Sequence, residues 1–300
     1  MTIPTPEPFI SVIIPTYNRG ALLRETIESV LQQTYRNYEV IIIDDASGDG
    51  TADWIAEHYP ELPLIRLSEN VGGAEARNIG LRQAKGDFIA FLDHDDRWMP
   101  DYLEQQIAVI RSSENIVLSY CDYFEVFVDG SKTFRSGKPR ASYPDFTDHL
   151  LMQNVIHSLS LTMIRRSALL EVGFFDRSLR ICNDLELYLR LSVAGDIVHL
   201  PRALVWKYRH SENACNNYWL WCRELLEVYE LFFARDFSHP YLDRRSRIKS
   251  HAMVTLCKVV WRYKRDYRFA LFTQWKAFYF APLYRLQLLS TRWKKFAHSS

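Results

Sequence analysis

No two of the five cysteines (Cys121, Cys182, Cys215, Cys222, Cys257) form a CxxC pair, and their odd number and scatter argue against a disulfide framework or a cysteine zinc cage. Reduced thiols in a cytosolic compartment are the simpler expectation. No run of about 18 uncharged apolar residues is present, so no membrane-spanning helix is expected. Residues 1–8, Met1-Thr-Ile-Pro-Thr-Pro-Glu-Pro8, have neither the basic flank nor the apolar run of a signal peptide and read as a tail. Internal repeats and low-complexity tracts are also missing. Disorder is excluded as well: 48% of the 300 side chains are hydrophobic and the net charge is only +1, so a large core can be buried.

The near-zero total hides a split. Residues 240–300 hold 14 Lys/Arg against 2 Asp/Glu, which leaves 23 against 34 for residues 1–239. The larger, acidic part is a poor nucleic-acid binder, because such affinity rests on clustered cations that neutralise phosphates.

Residues 9–15, Phe-Ile-Ser-Val-Ile-Ile-Pro, form a β-branched run that stops at a proline, as a buried strand does. Leu22, Leu23, Ile27, Val30 and Leu31 then fall near helical spacing, and Glu39-Val-Ile-Ile-Ile43 is a second apolar run. This βαβ rhythm continues through a turn at residues 47–51, helices near 52–58 and 74–84, and strands near 63–67 and 88–92. It predicts an α/β fold whose parallel strands are covered on both faces. A helix is expected over 99–112, an irregular excursion over 120–160, strands near 160–164 and 197–206, a helix over 184–193, and mostly helix over 217–300.

In open sheets of this kind ligands sit beyond the carboxyl ends of the strands. Here those ends are acidic, with Asp44 and Asp45 after one strand and Asp93, Asp95 and Asp96 after another. Carboxylates so close together raise each other's pKa unless a positive charge lies between them. A divalent cation, Mg²⁺ or Mn²⁺, would remove that penalty and offset charge on a departing diphosphate. The same acids could instead only turn the chain and cap the next helix.

Four ordered segments resemble the motifs of the family 2 inverting glycosyltransferases with the GT-A fold. They are Ser11-Val-Ile-Ile-Pro-Thr-Tyr-Asn-Arg19, Ile43-Asp-Asp-Ala-Ser47, Asn70-Val-Gly-Gly-Ala-Glu-Ala-Arg-Asn-Ile-Gly80 and Lys85-Gly-Asp-Phe-Ile-Ala-Phe-Leu-Asp-His-Asp-Asp96. The resemblance spans residues 9–215 and implies a GT-A domain there, with a Rossmann-like, mostly parallel sheet flanked by helices, followed by a basic, aromatic-rich helical extension over 216–300.

By the same resemblance, Pro15, Thr16, Tyr17 and Asp45 line a nucleotide base pocket with Arg77 nearby, and Gly73 lets the backbone approach the donor. Asp93-His94-Asp95 matches the DXD element, with Asp95 the direct metal ligand and Asp93 facing ribose or metal. Gly173-Phe-Phe-Asp176, followed by Asn183-Asp184, matches the acceptor side. Asp184 is the expected general base, and Asn183 stands where the family has Glu. His210 resembles the family's histidine in the metal or diphosphate shell. Other readings are a surface salt bridge for Arg77, a plain turn for Gly72-Gly73, and a helix N-cap for Asp184.

The implied reaction moves a sugar from a nucleotide-diphosphate donor, expected to be UDP-linked, onto a hydroxyl of a cell-envelope polysaccharide or glycolipid. The extension mixes Lys and Arg with Trp261, Phe272, Trp275, Phe278, Tyr279 and Trp293. It could lie on the anionic inner face of a membrane or pack on protein. A nucleotidyltransferase and a catalytically silent sugar-nucleotide-binding module are the alternatives; no basic Gly-rich triphosphate loop speaks for the former.

Overall fold

The computed structural model describes residues 7–139, 145–209, 217–264 and 266–282. Strand β1 (Ile10–Thr16) is buried along its whole length because both sheet faces are covered. Its side chains alternate between two cores. Ile13 joins a cluster with the helix α3 (Gly73–Gln83), while Ile10, Val12 and Ile14 join another with α1 (Gly20–Leu31). Burying each such side chain contributes about 1.5–3 kcal/mol, so the continuous apolar run is what makes a two-sided strand stable.

On one side of β1 lies β2 (Tyr38–Asp44) and on the other β4 (Phe88–Phe91), both parallel to it, with β3 (Leu64–Arg66) parallel beyond β2. Helices α1, α2 (Thr51–His58) and α3 make the crossovers. At Gly80, in α3, an added Cβ would come within 2.6 Å of Ile13 Cγ2 and 2.8 Å of Ile43 Cδ1, so a missing side chain lets the helix lie directly on the sheet.

Beyond β4 the sheet becomes mixed. After β5 (Arg97–Trp98) and α4 (Tyr102–Ile110) come β6 (Ile116–Val126), β7 (Lys132–Arg135), α5 (Phe146–Met152), β8 (Thr162–Arg165), α6 (Arg166–Val172), α7 (Asn183–Ala194) and β9 (Asp196–Tyr208). The sheet order is β3-β2-β1-β4-β8-β6-β9-β5, with β7 paired to β6.

The irregular excursion expected over 120–160 is therefore corrected: much of it is β6, β7 and α5, with 140–144 outside the described residues. Period-2 alternation fails in β6 because both its faces are buried and its polar residues have private partners. Ser119 donates to Gln106 at 2.7 Å, Asp122 accepts the Gly137 N–H at 2.8 Å, and Glu125 accepts from Arg209 at 2.5 Å.

Helices α8 (Tyr218–Phe233), α9 (Arg245–Lys264) and α10 (Tyr267–Phe280) follow, with a 3-10 stretch at Asp236–Arg244. Their buried side chains join the cluster that includes α3 and α7. Polar ties reinforce this packing: Tyr229 donates to the Leu151 carbonyl at 3.0 Å, and Arg244 pairs with Asp148. The four described cysteines are buried free thiols. No helix among the described residues is long and apolar enough to cross a membrane.

Candidate active site

Parallel strands end at the same edge, so residues following β1, β2 and β4 converge there. The loops after β1 and β2 hold each other. Asn18 and Ala46 both adopt positive φ (50° and 60°), the Asn18 N–H donates to Ser47 Oγ at 2.9 Å, and Asn18 Oδ1 accepts the Gly48 N–H at 2.8 Å. Non-glycine residues hold this conformation only where the surroundings over-determine it. Pro15 accepts at its carbonyl from the His94 ring at 3.3 Å, and Tyr17 is half-exposed at the rim, at 45%.

Asp45 is buried, and its carboxylate accepts the N–H groups of Val71 (2.7 Å) and Gly72 (2.9 Å). Gly72 has φ 84°, which favours glycine, and α3 begins at the next residue. Asp45 thus moulds the loop that leads to Gly73, where an added Cβ would sit 3.1 Å from Arg77 Nη1.

Arg77 leaves its own helix face and pairs with Asp93, Nη2 to Oδ1 at 2.6 Å, both side chains being mostly buried. That removes the surface salt-bridge reading. Burial alone would raise the Asp93 pKa, but the Arg77 guanidinium and the Lys207 ammonium overcome it and hold the carboxyl down at about 2. The other Asp93 oxygen accepts from Ser158 Oγ at 3.1 Å. Asp96 is fully buried; it accepts the Tyr208 N–H at 3.2 Å and faces Lys207 Nζ at 3.4 Å. Burial pushes the pKa of Asp95 up to about 6, Asp93's charge adding to it, and burial likewise pushes Asp96 up to about 6. The three carboxylates raise the Lys207 pKa despite its own burial. Thr26 Oγ1 donates to the carbonyls of His94 (3.0 Å) and Asp96 (2.9 Å) and so pins the acidic turn to α1. Burial lowers the His94 pKa.

Asp184 lies in the first turn of α7, whose cap position is Cys182, so the N-cap reading is corrected. Asp184 Oδ1 accepts the Leu185 N–H at 2.6 Å. Burial pushes its pKa up to about 6, against the Leu185 N–H and the charge of Arg77, so Asp184 lies within the field of the acidic turn. Asn183 is buried and donates to the carbonyls of Leu179 (3.3 Å) and Arg180 (3.2 Å). Above it, Glu224 of α8 accepts the N–H groups of Arg180 (3.0 Å), Ile181 (2.7 Å) and Cys182 (3.0 Å), fixing the entry to α7. Arg190 binds the carbonyls of Val172, Gly173 and Phe174 at 2.6–2.7 Å, and Asn78 exchanges two hydrogen bonds with the Phe175 backbone. The Gly-Phe-Phe segment is thereby locked beside Arg77.

Sequence reasoning missed Lys207, Ser158 and Glu224. The surplus of acid at one rim was read as a place for a divalent cation, and nothing local marked Lys207, among 37 Lys and Arg, as a side chain that enters it. His210 lies outside the described residues.

Whether a divalent cation suits this rim depends on the oxygen donors its carboxylates present. Both Asp93 oxygens have partners, as do both Asp96 oxygens, and among the described residues no three His, Cys, Asp or Glu side chains could hold a metal by themselves. Asp95 is the hard oxygen donor whose raised pKa a cation would relieve. Magnesium-like ions are commonly held by one or two carboxylates together with substrate phosphates and water, so the donor set fits such an ion when diphosphate is present.

Residues 11–173, more than half of the chain, match the family model for glycosyl transferase family 2. The chain belongs to this family. It is 31% identical over 230 residues to the putative teichuronic acid biosynthesis glycosyltransferase TuaG of Bacillus subtilis, covering 74% of this chain and 88% of that one. Its fold is that of the GT-A glycosyltransferases. It superposes on S. aureus TarS 1–349 in complex with UDP-GlcNAc with a TM-score of 0.65 at 22% identity, covering 87% of this chain and 75% of the other. The mannosyltransferase PcManGT of Pyrobaculum calidifontis, in complex with GDP-Man and Mn²⁺, gives a TM-score of 0.60 at 20% identity, covering 90% and 79%. Against the longer TarS chain, this protein spans 44% of the length.

Proposed function

We propose that this glycosyltransferase moves a sugar from a UDP-linked donor onto a hydroxyl of a cell-envelope polysaccharide or glycolipid, with inversion at the anomeric carbon. One observation carries the reading. Among the described residues, four buried side-chain polar atoms lack a hydrogen-bond partner: Thr16 Oγ1, Asp44 Oδ1, Arg77 Nε and Tyr188 Oη. Leaving such a group unsatisfied costs about 1–3 kcal/mol. Thr16 and Asp44 are register partners at the carboxyl edge, Arg77 holds Asp93, and Tyr188 follows Asp184 by one helical turn. Thr16, Asp44 and Arg77 thus leave polar atoms unsatisfied where the carboxyl edge meets the acidic turn, which supports a polar ligand there.

In this reading the nucleotide base lies along Pro15, Thr16 and Tyr17, against the loop that Asp45 shapes. Asp93 stays ionised beside Arg77, and Lys207 keeps the acidic turn from repelling a diphosphate outright. A divalent cation held at Asp95, with Asp93 and His210 as the further candidates, would supply charge neutralisation to the leaving diphosphate. Asp184 takes the proton as the acceptor oxygen forms its bond to the anomeric carbon. The bond from that carbon to the diphosphate oxygen breaks on the opposite face, and its electron pair leaves with the nucleotide. The named role of the Bacillus relative in teichuronic acid biosynthesis supports an envelope acceptor, and the basic extension supports work at an anionic membrane surface.

The test is a screen of nucleotide sugars for released nucleotide, with Mn²⁺ and again with EDTA. Turnover of a UDP-sugar that EDTA abolishes is expected. UDP binding without any turnover would favour a silent binding module, and pyrophosphate release from a nucleoside triphosphate would favour a nucleotidyltransferase.

A further inference from the structure

Helix α10 carries apolar residues on two opposite faces. The inner one is ordinary: Phe269, Thr273 and Ala277 are buried, Phe269 meets Tyr218 and Trp219 edge-on at 4.8 and 4.9 Å, and the Ala277 carbonyl accepts from Ser250 at 2.7 Å. The outer one is not. Leu271, Trp275, Phe278 and Tyr279 follow the spacing i, i+4, i+7, i+8, within an arc of about 100°, and they are exposed by 73, 59, 45 and 67%. A helix that merely covers a core turns polar side chains outward. Here the outward stripe is one leucine and three aromatic rings.

We infer that this face of α10 is a docking surface that lies in the interfacial layer of an anionic phospholipid bilayer. Charge selects this occupant. From Tyr267 to Ser300 the sequence has six Lys/Arg and no Asp/Glu, and two of these cations, Arg268 and Lys276, lie on α10 itself beside a single acid, the cap residue Asp266. Two cations of α9, Arg245 and Lys249, by contrast pair with Glu230. Lys276 holds its ammonium 5.2 Å from the Trp275 ring centre and 5.9 Å from that of Tyr279, which sets a cation at the level of the rings. Trp and Tyr rings bury their bodies among acyl chains and keep their polar ends at headgroup depth, while ammonium and guanidinium groups meet lipid phosphates. A second copy of this chain would bring the same positive surface against itself.

The inference rests on the membrane-surface reading above and names the surface responsible. Full-length protein is floated with vesicles of phosphatidylcholine alone and with vesicles containing about one-third phosphatidylglycerol, at low and high salt. Wild type is expected on the anionic vesicles at low salt, and Leu271→Ser/Trp275→Ser/Tyr279→Ser is expected to lose at least about tenfold in partitioning. Nucleotide release and the unfolding midpoint, measured on the same samples, should stay unchanged, since these side chains face away from the core and the rim. Equal partitioning of wild type and variant, no binding of wild type, or a wild-type dimer that the same substitutions dissociate would each overturn the inference. Loss of nucleotide release with vesicle binding intact would count instead against the proposed reaction.

Discussion

On the β1–β4 side of the sheet, each candidate side chain sits within a few residues of the element that places it. Asp45 follows β2 directly, Asp93 and Asp95 follow β4, and Arg77 rides on α3. On the β6–β9 side the corresponding groups arrive from far away. Lys207 meets Asp96 across 111 residues, Ser158 meets Asp93 across 65, and Glu224 reaches the turn before α7 from a different helix. The first side is a set of parallel strand ends, whose positions follow from chain order. The second is a mixed sheet with an α-helical buttress, whose function depends on which strands happen to be neighbours. Contiguous motifs therefore mark the first side, while on the second only the segment around Asp184 has one and the charge balance has none.

The sharpest way to break this contrast is to remove Asp184, the base proposed for the second side. Asp184→Asn is expected to lower transfer by about 10³-fold, within the range for a general base, while UDP binding by titration calorimetry stays within about twofold. Retained transfer would move the base elsewhere. Lys207→Met comes next: it strands Asp96, fully buried, without its cation, and breaking such a pair costs about 3–5 kcal/mol. Urea denaturation should show that loss, and Asp96→Asn in the same chain should recover most of it. If the double variant is no better than the single, the pair is not what holds the turn.

Glu224→Ala should cost about 2 kcal/mol, since three N–H groups lose their acceptor. It should also depress transfer more than UDP binding, because the turn it releases carries Asp184 and not the loops after β1 and β2. An equal fall in both would erase the division between the two sides. The smallest effect is in pH. The proposed base must be ionised to take the proton and the Asp184 pKa is raised to about 6, so kcat/KM should fall about tenfold per unit below pH 6 and level off above it. A profile flat to pH 5 would show that this carboxylate does not titrate in the free enzyme.

The same contrast explains how much was legible in the sequence. Apolar runs flanked by turns located β1, β2 and β4, and the acidic ends of β2 and β4 marked the rim, because a strand end delivers the next residue to the sheet edge whatever else the chain does. Strand β6 hid itself: Ser119, Asp122 and Glu125 are buried beside apolar neighbours and bonded to partners far away or off the strand, so its sequence shows no clear alternation. Asp184 was found through its motif, yet its local role was misread, since only the structure puts Cys182 at the cap of α7.

The order of strands and helices through β4, the acidic rim and the excess positive charge of the extension were set by local sequence, because periodicity and charge are properties of neighbouring residues. Tertiary structure alone decided that Lys207 enters the acidic turn, that Glu224 holds the turn before α7, and that α10 turns its aromatic face outward. Those outcomes depend on strand register and helix packing between segments far apart in the chain, and no window of adjacent residues contains that information.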